Sequence, residues 1–92
     1  MITLVIYDIT DDIVRNKVAK ACKRFGLSRI QKSAFLGDLP SAKRKELISR
    51  LRRILGNNKG NIQVFVLCKA DFALREIIGC VEFDENEEIV IV

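Results

Sequence analysis

Residues 4–12 read LVIYDITDD, an apolar run that delivers a carboxylate, Asp8, just before Thr10, Asp11 and Asp12. The apolar character extends over both alternations of residues 2–8: Ile2, Leu4 and Ile6 on one side, Val5 and Tyr7 with Thr3 on the other. A strand apolar on both faces is central and covered on both sides. Asp8 then stands at the carboxyl end of a central strand, where sheets of α/β type often place ligands. Two roles are open to it. It can cap the next helix or pair with a base, or it can be half of a metal site. One carboxylate holds Mg²⁺ poorly, whereas two, brought together by a second copy of the chain, can hold the ion with waters and a phosphate oxygen.

Beyond Asp8 the spacing turns helical. Val14, Val18, Ala21 and Phe25 form one stripe over residues 11–25, with Arg15, Lys20, Lys23 and Arg24 away from it. Thr10 or Asp11 can cap the start, and Gly26 before Leu27 fits a left-handed stop. Residues 28–36 alternate again as one strand, Ile30, Ala34 and Leu36 on one face with Lys32, and Arg29, Gln31, Ser33 and Phe35 on the other. GDLPS makes a turn whose Pro40 suits the first turn of a helix over about 41–55. That helix buries Leu47, Leu51, Ile54 and either Ile48 or Leu55, and exposes Lys43, Arg44, Lys45, Arg50, Arg52 and Arg53. IQVFVLC, residues 62–68, is a third strand, and ADFALREIIG is a short helix or an irregular bridge. CVEF and the terminal IVIV are two short strands around the acidic turn DENEE.

Right-handed crossovers place the first and third strands side by side in the middle. The pattern is α+β, a ferredoxin-like β-α-β-β-α-β sandwich with both helices on one sheet face and an extra C-terminal strand. Val5, Tyr7 and Phe35 are then expected on a second face without a helix to cover it. An exposed apolar face marks an interface, so the sequence predicts a homodimer packed sheet against sheet. Residues 1–92 make one domain, and 84–92 is a tail whose strand pairs with the partner subunit or folds back on its own chain.

Composition narrows the chemistry. The 92 residues are 49% hydrophobic and 30% charged, a globular balance. No run is long enough to span a bilayer and nothing resembles a signal peptide, so a cytoplasmic domain is expected. The chain has no histidine, which removes imidazole bases and His-ligated metals. Cys22, Cys68 and Cys80 lack CxxC spacing and sit among apolar neighbours, as buried thiols do. Residues 1–69 carry fifteen Lys/Arg against five Asp/Glu, and residues 70–92 one Arg against seven acids. A basic body of +10 with a tail of −6 points to a polyanion, nucleic acid first.

VIYDITDD together with RNK, GLSRIQKSAF and GDLPS resembles the small CRISPR-associated Cas2 family, by motif over roughly residues 1–40 and by element order beyond. The resemblance implies a ferredoxin-like homodimer acting on nucleic acid. The family is described both as a Mg²⁺-dependent, sequence-nonspecific endonuclease of single-stranded RNA or DNA and as a DNA-holding adaptor for the Cas1 integrase in spacer acquisition. A toxin-type ribonuclease of the same fold is a further alternative. By position, Asp8 of both subunits would share one Mg²⁺, with Tyr7 its strand neighbour. Arg15, Lys17 and Arg29 would contact phosphate or developing charge, and Ser33 and Phe35 would sit near the two-fold axis. Lys32 departs from the aromatic residue of many relatives, and Lys17 stands where Arg is frequent, without its bidentate geometry. Tyr7 and Phe35 also read simply as interface packing. Arg50, Arg52 and Arg53, with no interleaved aromatics, read as a surface that tracks a phosphate backbone without reading sequence. DENEE is a solvated turn or a docking segment for a basic partner.

Overall fold

The computed structural model describes residues 1–80. Its elements run β1 (Ile2–Ile9), α1 (Asp12–Arg24), β2 (Ser28–Gln31), β3 (Ala34–Asp38), α2 (Ser41–Leu55), β4 (Gly60–Leu67) and a short α3 (Lys69–Ala73). The four strands form one sheet in the order β2-β3-β1-β4, and every pairing is antiparallel. The sequence expected one strand over 28–36. The chain instead reverses after Gln31, and β2 and β3 pair as a hairpin with a register irregularity between Arg29 and Gln31. The alternation of side chains continues through the reversal, so a period of two gives no sign of it. With the extra strand the central pair is β1 and β3, and the strand over 60–67 lies at the edge.

Local chemistry sets the helix ends. The Asp11 side chain accepts the Val14 amide at 2.9 Å, satisfying a donor that the first turn leaves orphaned. After α1, Gly26 takes φ +90° while its amide and that of Leu27 donate to the carbonyls of Lys23 and Cys22, each at 3.0 Å. Pro40 sits at the N-cap of α2, one residue before the helix proper.

Both long helices cover the same sheet face. Val14, Val18, Ala21 and Cys22 from α1 and Leu47 and Leu51 from α2 pack over Val5, Tyr7, Ile9 and Phe35. Val5, Val18, Phe35 and Leu47 are fully buried, each worth about 1.5–3 kcal/mol of transfer free energy. This corrects the expected assignment of faces: Val5, Tyr7 and Phe35 form the floor beneath the helices. The open face carries the other alternation of β1, namely Ile2, Leu4, Ile6 and Asp8. Because β1 is apolar on both alternations, its periodicity alone does not choose between them.

Part of that open face is covered. Phe72 of α3 packs on Ile2 and Leu36, with Leu4, Ile30 and Leu67 around them. The ambiguous ADFALREIIG is therefore both: its first four residues belong to the short helix α3, which plugs one end of the sheet, and the rest is irregular. Cys68 caps it, its Sγ accepting the Asp71 amide at 3.4 Å. Of the thiols expected to be buried, Cys22 is buried, Cys68 is half-buried and Cys80 is exposed. The expected strand in CVEF falls almost wholly, and that in IVIV and the DENEE turn wholly, outside the described residues.

Candidate functional site

The β1–β4 register arranges the open face as a series of rungs. Leu4 lies opposite Phe65, Ile6 opposite Gln63, and Asp8 opposite Asn61. Moving away from the α3 plug, the face passes from Leu4 and Phe65, through Ile6, to a polar end formed by Asp8, Asn61 and Gln63. Asp8 and Asn61 are exposed, and Gln63 Nε2 donates to Asn61 Oδ1 at 3.3 Å. Asn61 and Gln63 were missed in the sequence. Their signal is that they share a face with Asp8, which is visible only once the register is known. Opposite Ile9, Gly60 holds φ +133°, and a Cβ there would fall 2.5 Å from the Asp8 carbonyl oxygen. The Gly60 backbone thus lies close against that of Asp8 and Ile9, with no room for a side chain.

Four of the other candidate residues form one connected group next to Asp8 on the helix side. The Tyr7 amide donates to the Ser33 carbonyl at 3.0 Å. The Tyr7 and Phe35 rings stack with centroids 6.3 Å apart and planes 18° from parallel. The Arg29 guanidinium lies 5.0 Å from the Phe35 centroid, a cation–π contact. Tyr7 and Phe35 are buried, so they support β1 rather than offer a stacking platform. Cys22 belongs to the same interior. Burial pushes its thiol up to about 12, against the opposing pull of the Arg29 charge.

The exposed cations divide into two sets. Arg15 pairs with Asp12 one turn earlier on α1. Lys17, Arg50 and Arg53 instead line an open groove between α1 and α2, joined by Lys20 and Arg24. Arg52 is exposed outside it. Lys20 and Arg24 were placed on the outer side of α1 by the sequence. Their spacing after Lys17, three and then four residues, keeps all three on one side of the helix, but only the packing shows that this side faces α2.

Residues 1–74, from β1 through α3, match the family model described as CRISPR associated protein Cas2. The chain belongs to the Cas2 family. A CRISPR-associated endoribonuclease Cas2 of Desulforudis audaxviator is 46% identical over 78 residues, covering 85% of this chain and 74% of that one. A Cas1/Cas2 endonuclease fusion of Thermoproteus tenax is 45% identical over 69 residues, covering 75% of this chain and 26% of the fusion. Among solved structures, Cas2 of Streptococcus pyogenes superposes with a TM-score of 0.73 at 27% identity, covering 86% of this chain and all of that one. The Cas2 match thus takes in Asp8, the hairpin beneath it and both helices of the basic groove.

Proposed function

We propose that the chain is a sequence-nonspecific, Mg²⁺-dependent endonuclease of single-stranded RNA or DNA, working as a ferredoxin-like homodimer in the cytoplasm. The observation that carries this reading is Asp8 itself, exposed at the polar end of a sheet face whose middle, at Leu4, Ile6, Leu36 and Phe65, is apolar. Ile6 and Phe65 are 40% and 43% exposed on that face, a cost that a second copy packed sheet to sheet removes. Such packing sets two Asp8 carboxylates near one another.

The residues fit a hard divalent ion. Mg²⁺ takes oxygen ligands, keeps several waters and needs only one or two carboxylates beside substrate phosphate. Asp8 Oδ atoms and the Asn61 amide oxygen are of that kind. When bound, the ion supplies charge stabilisation at the phosphate and a more acidic water. The chain contributes the rest. The close approach at Gly60 and the Tyr7–Ser33 hydrogen bond hold the end of β1, so that the Asp8 carboxylate is presented at a fixed place. Arg15 follows Asp8 in the first turn of α1 and attracts the phosphodiester, whereas Lys17 belongs to the groove between the helices. The exposed Arg15–Asp12 pair is weakly held and gives way to phosphate at little cost.

A second reading, a DNA-holding adaptor for a Cas1 integrase, is favoured by the relative whose chain joins Cas1 to Cas2. The two readings differ in what Asp8 must do. Wild type and Asp8→Asn, purified identically, are compared on single-stranded RNA and DNA with Mg²⁺ and with a chelator. The nuclease reading expects cutting by wild type with Mg²⁺ alone, and a loss of about 100-fold or more in the variant. Equal rates in both proteins would overturn it, and silence from both would leave the adaptor.

A further inference from the structure

We propose that Lys32, at the tip of the β2–β3 hairpin, is a further catalytic residue of the Asp8 site, where its ammonium holds a non-bridging oxygen of the phosphodiester. The inference rests on the nuclease reading and adds to it a cation that the sheet itself supplies.

Register brings the two residues together. Ile6 lies opposite Ala34 on β3, and the Tyr7 amide donates to the Ser33 carbonyl at 3.0 Å, one step further along the same ladder. The next step sets Asp8 at the level of Lys32. Lys32 also shares its alternation with Ala34 and Leu36, the residues opposite Ile6 and Leu4. Asn61 stands opposite Asp8 on the other side. Asp8 thus occupies the middle of a row across the sheet, with an amide on its β4 side and a lysine on its β3 side. Cross-strand neighbours are about 4.5–5.5 Å apart at Cβ, well within the reach of a lysine side chain.

The hairpin tip is built to hold that place. Only Lys32 and Ser33 separate Gln31 from its partner Ala34, and neither takes a positive φ. A two-residue hairpin normally relies on positive φ in its turn. Here β2 carries a register irregularity between Arg29 and Gln31 instead. Such bulges bend a strand and re-aim its side chains, and they are frequent beside active sites. The Tyr7–Ser33 bond then ties the tip to β1.

Charge explains what the lysine is for. Lys32 and Asp8 are both exposed, and neither forms an ion pair among the described residues. Lys32 therefore does not serve to neutralise Asp8, and its ammonium is open to an incoming anion. Two Asp8 carboxylates just offset one divalent ion. A site made of these alone has no net attraction for a phosphodiester and nothing left over for the charge that builds as it is cleaved. Arg15 already has Asp12 as a partner. A lysine beside each Asp8 restores a positive balance.

The test compares wild type with K32A, K32R and K45A in Mg²⁺-dependent cleavage of single-stranded RNA and DNA. Lys45 is an exposed cation of α2, so K45A makes the same change of net charge away from the site. K32A is expected to lose about 10- to 100-fold in kcat/KM. K32R, which keeps the charge, should stay within about threefold of wild type, and K45A should match it. A second readout needs neither metal nor cleavage. Asp8→Asn removes the carboxylate that repels phosphate. In that variant, with a chelator present, a single-stranded oligonucleotide of about eight residues should protect Lys32, but not Lys45, from acetylation. Cleavage by K32A at the wild-type rate, or acetylation of Lys32 that the oligonucleotide leaves unchanged, would overturn the proposal. A wild type that does not cut while Lys32 is still protected would overturn the nuclease reading alone, and leave Lys32 a phosphate ligand.

Discussion

The Cβ that any other residue would carry at position 60 falls 2.5 Å from the carbonyl oxygen of Asp8, and the backbone there holds φ +133°. Both conditions select glycine. Gly60→Ala must therefore push the end of β1 away from β4 or break that rung. A cost of about 1–3 kcal/mol is expected, read from the midpoint of urea unfolding. Because the clash is with the Asp8 backbone, cleavage well below the midpoint should fall as well. A variant that is destabilised but cleaves normally would show that this approach does not position the carboxylate.

Thr3 offers a change in the opposite direction. Its side chain is fully buried, and its hydroxyl has no hydrogen-bond partner among the described residues. Thr3→Val keeps the shape and the β-branching while removing a desolvated polar group. A gain of about 1 kcal/mol is expected, measurable as a higher denaturation midpoint with an unchanged slope.

Asp38 joins three parts of the molecule. Its carboxylate accepts from the N-terminal ammonium at 3.0 Å and meets Lys69 Nζ, at the start of α3, at 3.3 Å. These hydrogen bonds, the ammonium first and Lys69 second, hold the Asp38 carboxyl below its ordinary value of 3.8. A group depressed by folding contributes its stability fully above the unfolded value, and loses it as pH falls through the folded one. The protection of the α3 amides relative to their intrinsic exchange rates should therefore fall below about pH 4. Asp38→Asn should remove that acid-dependent step. An α3 exchange profile that keeps the step in the variant would assign it to another carboxylate.

Much of this architecture was legible in the sequence, for identifiable reasons. The α1 stripe, the cap at Asp11, the stop at Gly26 and the span of α2 follow from short-range rules, and each appears where those rules put it. Asp8 was legible as the residue ending an apolar strand. The hairpin at 28–38 was not, because Ser33 and Lys32 continue the alternation across a reversal. The facing of β1 was not, because both of its alternations are apolar and the choice is made by where α1 and α2 dock. That one ambiguity moved Tyr7 and Phe35 from an expected interface into the core. Asn61, Lys20 and Arg24 become site residues only through a strand opposite or a helix alongside, relationships that no local window contains.

The central claim is that Asp8 acts as one of a pair across an interface made by the open sheet face. Ile6 and Phe65 lie on that face beside it, exposed and away from the helix-side core. The most direct test is Mg²⁺-dependent cleavage by an Ile6→Arg/Phe65→Arg variant, with sedimentation recorded on the same sample. The account predicts a folded monomer in which cleavage is about 100-fold or more below wild type, although Asp8 is intact. A monomer that cleaves at the wild-type rate would contradict it.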